Sequence, residues 1–122
     1  MKQKLLLVGA YHEMIELCES CGYEIAGIID NDITGEYYGK QIVGTDADAE
    51  SLYEQYKDVL VVITPFMPNV RERLATMYSS IGYKFATLIS PDAHVSKFTT
   101  IGEGAVVQAG VNVAANTQIG RF

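Results

Sequence analysis

The stretch Ile101–Phe122, IGEGAVVQAGVNVAANTQIGRF, decides how the last part of the chain folds. Its aliphatic residues Ile101, Val107, Val113 and Ile119 stand six apart, and the same spacing runs back through Val95 to Ile89. Four places after these come Ala93, Thr99, Ala105, Val111 and Thr117, all small or β-branched, while Gly102, Ala114 and Gly120 take the second place of three units. A helix repeats a face roughly every 3.6 residues and a strand every second residue, so neither holds one side-chain type at every sixth position. A hexapeptide β-helix does. Each unit supplies a short strand and a corner, the aliphatic side chain points into the prism, and the small residue fits near the turn. Three units make one coil, so residues 89–122 amount to fewer than two coils. Stacked repeats bury their faces only against neighbours, and an open end exposes apolar strand edges. The expectation is therefore a sequence that breaks off inside a β-helix, or a stub covered by another chain.

Before residue 89 the pattern is different. Short apolar runs, KLLLV (4–8), EIAGIID (24–30), VLVVITP (59–65) and FATLIS (85–90), alternate with helical segments. Three of the runs are continuous enough for parallel strands buried on both faces. HEMIELCESCG (12–22) ends on Gly22, and TDADAESLYEQY (45–56) opens with Thr45 and Asp48 as a capping box. NVRERLATMYSSIG (69–82) has Asn69 as predicted N-cap with Glu72 three later. It carries an apolar face of Val70, Leu74, Met77, Tyr78 and Ile81, and closes on Gly82. Strands alternating with helices make βαβ units. The fold class is α/β: a small Rossmann-like parallel sheet domain over residues 1–88, followed over 89–122 by the first coils of a β-helix.

Composition bounds the partners. Of 122 residues 48% are hydrophobic and 20% charged, which is globular rather than disordered composition. A net charge of −6 argues against nucleic acid and anionic membrane as partners, since both need a basic face. The apolar run Leu5–Ala10 is too short for a signal peptide core, and no stretch reaches the length of a membrane span. A cytoplasmic protein without membrane insertion is expected. The pair Cys18 and Cys21 is a C-x-x-C, the spacing of a redox couple or of half a zinc site. The two histidines, His12 and His94, sit in unrelated contexts, so no metal is expected. Three apart in a helix, the cysteines share a face with Met14 and Leu17 and read as small apolar residues.

The order of these segments resembles the sugar O-/N-acyltransferase family of the sialic-acid O-acetyltransferases and bacillosamine acetyltransferases, which carry a left-handed β-helix. LLLVGAYHE (5–13) is similar to the family's first strand and loop, and GYEIAGIIDND (22–32) to its second strand with a terminal acidic pair. GKQIVGT (39–45) resembles its short third segment, LISPDAHVS (88–96) its Pro-x-Ala junction, and TIGEGAVVQAGVNVAANTQIG (100–120) its first coils. The resemblance implies an acetyltransferase in surface glycan biosynthesis. Its N-terminal domain would hold a nucleotide-linked sugar, in the family usually a UDP-amino sugar. Its β-helix would assemble as a homotrimer and bind the co-substrate acetyl-CoA between subunits, and a β-helix histidine backed by an acid would be the general base. In the family that base lies beyond IGRF (119–122), so no residue of this chain is assigned as catalytic, and the 122 residues alone are expected to be inactive. His94 has no acidic neighbour in a matching position and reads as an exposed corner residue.

Ligands of open α/β sheets sit beyond the carboxyl ends of the strands. Here those ends bring Gly9, Ala10, Tyr11 and His12 after the first strand, Asp30 and Asn31 after the second, and Thr64 and Pro65 after the strongest one. These eight are the candidate nucleotide-sugar residues. Gly9 permits a tight turn, the helix start near His12 offers N–H groups and a positive dipole end to phosphate, and Asp30 stands where an acid reaches a ribose hydroxyl. The loop GAYHEM (9–14) has only the first glycine of the dinucleotide pattern, which weakens NAD. Relative to the family's Gly-x-Gly-Gly-His loop, Tyr11 replaces a glycine and one residue is missing. Phe66 or Met67 in TPFMPN (64–69) could lie against a base or sugar, though a packed loop is the plainer reading; Arg71 and Arg73 could meet a diphosphate, with a solvated helix face the plainer reading. The alternatives are a stand-alone nucleotide- or sugar-binding module and a fragment of an NAD-binding oxidoreductase.

Overall fold

The computed structural model describes residues 3–65, 67–97 and 99–107; for Thr100, and for 112–113 and 118–119, it describes the backbone alone. The chain runs β1 (Gln3–Val8), α1 (His12–Ser20), β2 (Tyr23–Ile29), β3 (Glu36–Tyr37), β4 (Lys40–Gly44), α2 (Ala49–Tyr56), β5 (Leu60–Ile63), α3 (Pro68–Ile81) and β6 (Lys84–Phe85). These strands form one sheet in the order β3-β4-β2-β1-β5-β6, parallel except for β3 on β4. Central β1 explains its own composition. Leu5 and Leu7 face α1, packing with Met14, Ile15, Leu17 and Cys18. Leu6 and Val8 face α2 and α3, packing with Ala49, Tyr56, Leu74, Ala75 and Tyr78. A strand covered on both sides has no polar face to offer, so its alternation disappears into a continuous apolar run. Each of these fully buried leucines contributes roughly 1.5–3 kcal/mol of transfer free energy.

The helix ends agree with the sequence at three of four places, with Gly22 just past α1 and Gly82 capping α3, both at positive φ. Asp48 Oδ2 accepts from the Thr45 N–H at 2.9 Å and from Thr45 Oγ1 at 3.1 Å, closing the expected box ahead of α2. On α1, Cys18 is buried and Cys21 half-buried beside Met14 and Leu17. Burial, with the neighbouring Cys21 and Glu19 adding to it, pushes the Cys18 thiol up to about 12, so it is an inert apolar group. The start of α3 differs from expectation. Met67, not Asn69, is the N-cap, with no side-chain cap, and Pro68 is the first helical residue. Proline's fixed φ already suits that position and it has no N–H to satisfy, so the helix begins one turn-fragment earlier than a capping asparagine would set it.

FATLIS also differs. It is not one strand. Lys84–Phe85 pairs with β5 at the sheet edge, and the Ala86 N–H donates to Val61 O at 3.0 Å. Two residues later the chain has changed partner, with the Leu88 N–H donating to Ala105 O at 2.9 Å. Between them Thr87 Oγ1 accepts from the Gly104 N–H at 3.2 Å.

From there the strands are two residues long: β7 (Leu88–Ile89), β8 (His94–Val95), β9 (Thr100–Ile101), β10 (Val106–Val107), β11 (Asn112–Val113) and β12 (Gln118–Ile119). β7 pairs with β10, β8 with β11 and β9 with β12, all parallel, and each residue meets the one eighteen places further on. Eighteen residues are three six-residue units, one coil of a β-helix. The corners repeat as well. The Ala93 N–H donates to Ser90 O, Thr99 to Ser96 O and Ala105 to Gly102 O, at 3.0, 3.0 and 3.2 Å. The small residues of the repeat are thus the ones that close each turn, where a large side chain would crowd the next face.

Val107 is buried at 3% exposure, as an inward residue should be, whereas Ile89 is 38% exposed. Neighbours in a two-residue strand point to opposite faces. Leu88 goes into the α1-side core, so Ile89 takes the other face in the first coil, with no coil beneath it. The side chains of Val113 and Ile119, with Val111, Ala114, Thr117 and Gly120, lie outside the described residues.

Candidate functional site

The carboxyl ends of β1, β2 and β5 meet around a cleft of about 160 Å³, lined by Val8, Gly9, Ile29, Asp30, Asn31, Asp32, Asp46, Pro65 and Leu74. Local chemistry builds it. The Gly9 N–H donates to Ile29 O at 2.7 Å and Thr64 N–H to Val8 O at 2.8 Å, tying the three strand ends together. Gly9 has φ +99°, and a Cβ there would stand 3.0 Å from Thr64 Cβ and 3.2 Å from Pro65 Cδ. Only glycine leaves this wall open.

Asp30 is an acceptor for the loop around it. Its Oδ2 takes the Ala10 N–H at 2.9 Å, and its Oδ1 takes those of Asp32 and Ile33, each at 2.8 Å. Partial burial pushes its carboxyl up, but the bonds from Ala10, Ile33 and Asp32 outweigh that and hold it below the usual carboxylate range. With Oδ1 already accepting twice, the acceptor position left open is on Oδ2.

Two parts of the site escaped the sequence. Asp46 accepts from Asn31 Nδ2 at 2.9 Å and from the buried Tyr78 hydroxyl at 2.7 Å, and its own N–H donates to Asn31 Oδ1 at 2.9 Å. Nothing in the sequence sets Asp46 apart within the segment 45–56, because the partner phenol is thirty-two residues away. Arg71, expected on a solvated face, is 8% exposed. Its guanidinium donates to Ile63 O at 2.6 Å and Pro65 O at 2.9 Å, bracing the loop after β5. The i,i+4 spacing from Arg71 to Ala75, with Leu74 and Tyr78 buried as well, puts it on the helix's inner edge. Arg73 is exposed as expected.

Of the predicted residues, then, Gly9, Asp30, Asn31 and Pro65 line one cleft, and Ala10 is bonded into it through Asp30. Thr64 is 6% exposed behind Gly9, and its hydroxyl finds no hydrogen-bond partner among the described residues. Tyr11 and His12 are not in the lining. Tyr11 is the N-cap of α1 without a side-chain cap bond, and His12 opens the helix, its ring 5.1 Å from that of Tyr11 and 5.6 Å from that of Tyr38. Met67 is 64% exposed, and Phe66 lies outside the described residues. His94 is exposed as expected, but it opens β8 rather than sitting in the corner. Among the described residues no group of three His, Cys, Asp or Glu is set to hold a metal, and no helix is long and apolar enough to cross a membrane.

A Rossmann-like sheet passing straight into an eighteen-residue coil is a distinctive pairing, and it is shared with solved enzymes. A histidine-to-asparagine mutant of perosamine N-acetyltransferase from Caulobacter crescentus, in complex with CoA and GDP-perosamine, superposes with a TM-score of 0.88 at 29% identity over 97% of this chain and 57% of that one. The acetyltransferase domain of PglB from Neisseria gonorrhoeae FA1090, in complex with acetyl coenzyme A, gives 0.86 at 27% identity over 99% of this chain and 60% of that one. In sequence and fold the chain is similar to sugar N-acetyltransferases. GDP-perosamine N-acetyltransferase of Escherichia coli O157:H7 is 24% identical over 110 residues, 88% of this chain and 48% of its own length. An uncharacterized protein, L142, of Acanthamoeba polyphaga mimivirus is 28% identical over 115 residues, 93% of this chain and 22% of its own length. No protein-family model matches. The chain therefore spans half or less of the curated relatives it matches, and somewhat more than half of the solved ones.

Proposed function

We propose that this chain is the nucleotide-sugar-binding part of an acetyl-CoA-dependent sugar acetyltransferase. The observation that carries the reading is the cleft at the ends of β1, β2 and β5 on a chain whose next segment is a β-helix coil. Residues 1–88 are the binding domain and 89–122 the opening of the left-handed β-helix domain. Gly9 and Ala10 take the diphosphate side, with Tyr11 and His12 beside them at the start of α1, Asp30 and Asn31 take the ribose, and Pro65 forms the wall next to Gly9 with Thr64 behind it. The donor set fits the nucleoside: the rim of Asp30, Asp32 and Asp46 accepts from hydroxyl and N–H groups, and Val8, Ile29 and Leu74 offer an apolar floor.

The sugar carrier expected from the sequence is UDP; the likeness to an enzyme solved with GDP-perosamine makes GDP the alternative. Acetyl-CoA as co-substrate, a homotrimeric assembly and a cytoplasmic location belong to the same proposal. None of the described residues is assigned to CoA, and that part rests on the relatives in complex with CoA and acetyl coenzyme A. Calorimetry on the chain with UDP, GDP and NAD tests the reading. Binding of UDP or GDP without NAD is expected, and NAD binding with neither of the others would overturn it.

A further inference from the structure

The hairpin between β3 and β4 turns on two residues, Tyr38 and Gly39, since Tyr37 pairs with Lys40 and Glu36 with Gln41. Both turn residues have positive φ, 49° and 78°, the geometry of a type I′ turn. Its first position favours Asn, Asp or Gly, because other side chains crowd the backbone there. Tyr38 is the one non-glycine residue at positive φ among the described residues. Its ring is not held there by burial, because Tyr38 is 68% exposed. What the ring does touch is specific. It stacks on the imidazole of His12 at a centroid distance of 5.6 Å with planes 26° apart, and it meets Tyr37 edge-on at 4.8 Å. Tyr37 is packed against the α1-side core, and Lys40 Nζ is 2.9 Å from Glu19 Oε2 at the far end of α1. The hairpin is thus strapped along α1 at both ends, with Tyr38 laid over the helix's first residue.

We infer that Tyr38 is a positioning residue for His12 in nucleotide-sugar binding. An unfavourable backbone conformation kept at an exposed turn points to a constraint other than folding, and the near-parallel stack identifies the group constrained. His12 follows the Gly9–Tyr11 turn directly, at the helix start where a diphosphate would lie. A half-buried imidazole at a helix start has several rotamers open to it, and covering one face with a ring fixed by its own hairpin removes most of them. The inference rests on the function proposed above and deepens it by naming what orients the histidine.

The test measures Kd by calorimetry for whichever of GDP and UDP the wild-type chain binds, with thermal melts alongside. The variants are Tyr38→Phe, Tyr38→Gly, His12→Ala and the double variant His12→Ala with Tyr38→Gly. Tyr38→Phe keeps the stack and is expected to bind like wild type. Tyr38→Gly is expected to raise Kd about tenfold while Tm stays level or rises, because glycine accepts the positive φ. In the His12→Ala background the same change is expected to add nothing. Wild-type affinity in Tyr38→Gly, or an equal loss with and without His12, would overturn the inference alone. A wild-type chain that binds neither nucleotide would overturn the proposed function and the inference with it.

Discussion

Val107 pairs with Ile89 in parallel register, one coil later in the chain, and its carbonyl accepts the Ser90 N–H at 2.8 Å. The pairing makes each coil's stability depend on the wall of the next. Val107 is 3% exposed, so Val107→Asp places a carboxylate in an apolar wall, at a cost of about 3 kcal/mol or more. The expected outcome is local: hydrogen exchange at Ser90 and Leu88 speeds up, while amides of β1 keep their protection. Equal loss of protection in β1 would show that sheet and coil unfold as one unit.

The six-residue spacing was legible because every unit repeats the same steric demand, an aliphatic on the wall and a small residue closing the corner, as at Ala93, Thr99 and Ala105. The sheet was legible for a similar reason, since Leu5 to Val8 have no polar face to hide. The site was only half legible. Gly9 and Asp30 announce themselves by residue type at strand ends. Asp46 does not, because what makes it part of the cleft is a phenol from α3. Arg71 misled for the opposite reason. A charged residue reads as solvated unless one knows that two strand-end carbonyls, of Ile63 and Pro65, are waiting beside it. Contacts between distant segments leave no periodicity to read.

Gly9→Ala should damage both stability and binding. The added Cβ meets Thr64 Cβ at 3.0 Å and Pro65 Cδ at 3.2 Å, on a backbone at φ +99°. Strain of this kind costs about 1–3 kcal/mol, a drop in Tm of several degrees for a chain of this size. Gly35→Ala is the control: φ is also positive, at +81°, but a Cβ there meets nothing within 4 Å. It should lower Tm by less and leave the Kd for UDP or GDP unchanged, whereas Gly9→Ala raises that Kd at least tenfold.

Arg71 makes a different prediction, a graded one. Arg71→Met keeps the buried stem but leaves Ile63 O and Pro65 O without their donor, costing about 2–3 kcal/mol. Arg71→Lys restores charge but presents an ammonium in place of a planar fork, so it should recover part of that loss. Because Pro65 lines the cleft, nucleotide affinity should fall in the order wild type, Lys, Met. Thermal melts and calorimetry on the three proteins check both rankings, and a Lys variant less stable than the Met variant would contradict the bridging role.

Asp30 ties stability to pH. Its folded-state carboxyl is held low by the N–H groups of Ala10, Ile33 and Asp32 against the opposing effect of burial. A folded pKa below the unfolded value contributes stability that is present above the unfolded pKa and lost as pH falls through the folded one. Asp30→Asn removes the charge and turns an N–H toward at least one of these donors, so at pH 7 it should be less stable by about 1–2 kcal/mol. That gap should shrink as pH is lowered below about 4, the ordinary range for an aspartate, because the wild-type carboxyl then protonates and loses the same advantage. Melts of both proteins between neutral pH and the acid limit of folding check the sign. A gap that stays constant across that range would mean Asp30 acts through shape alone, and a gap that widens toward acid would mean its folded pKa is raised.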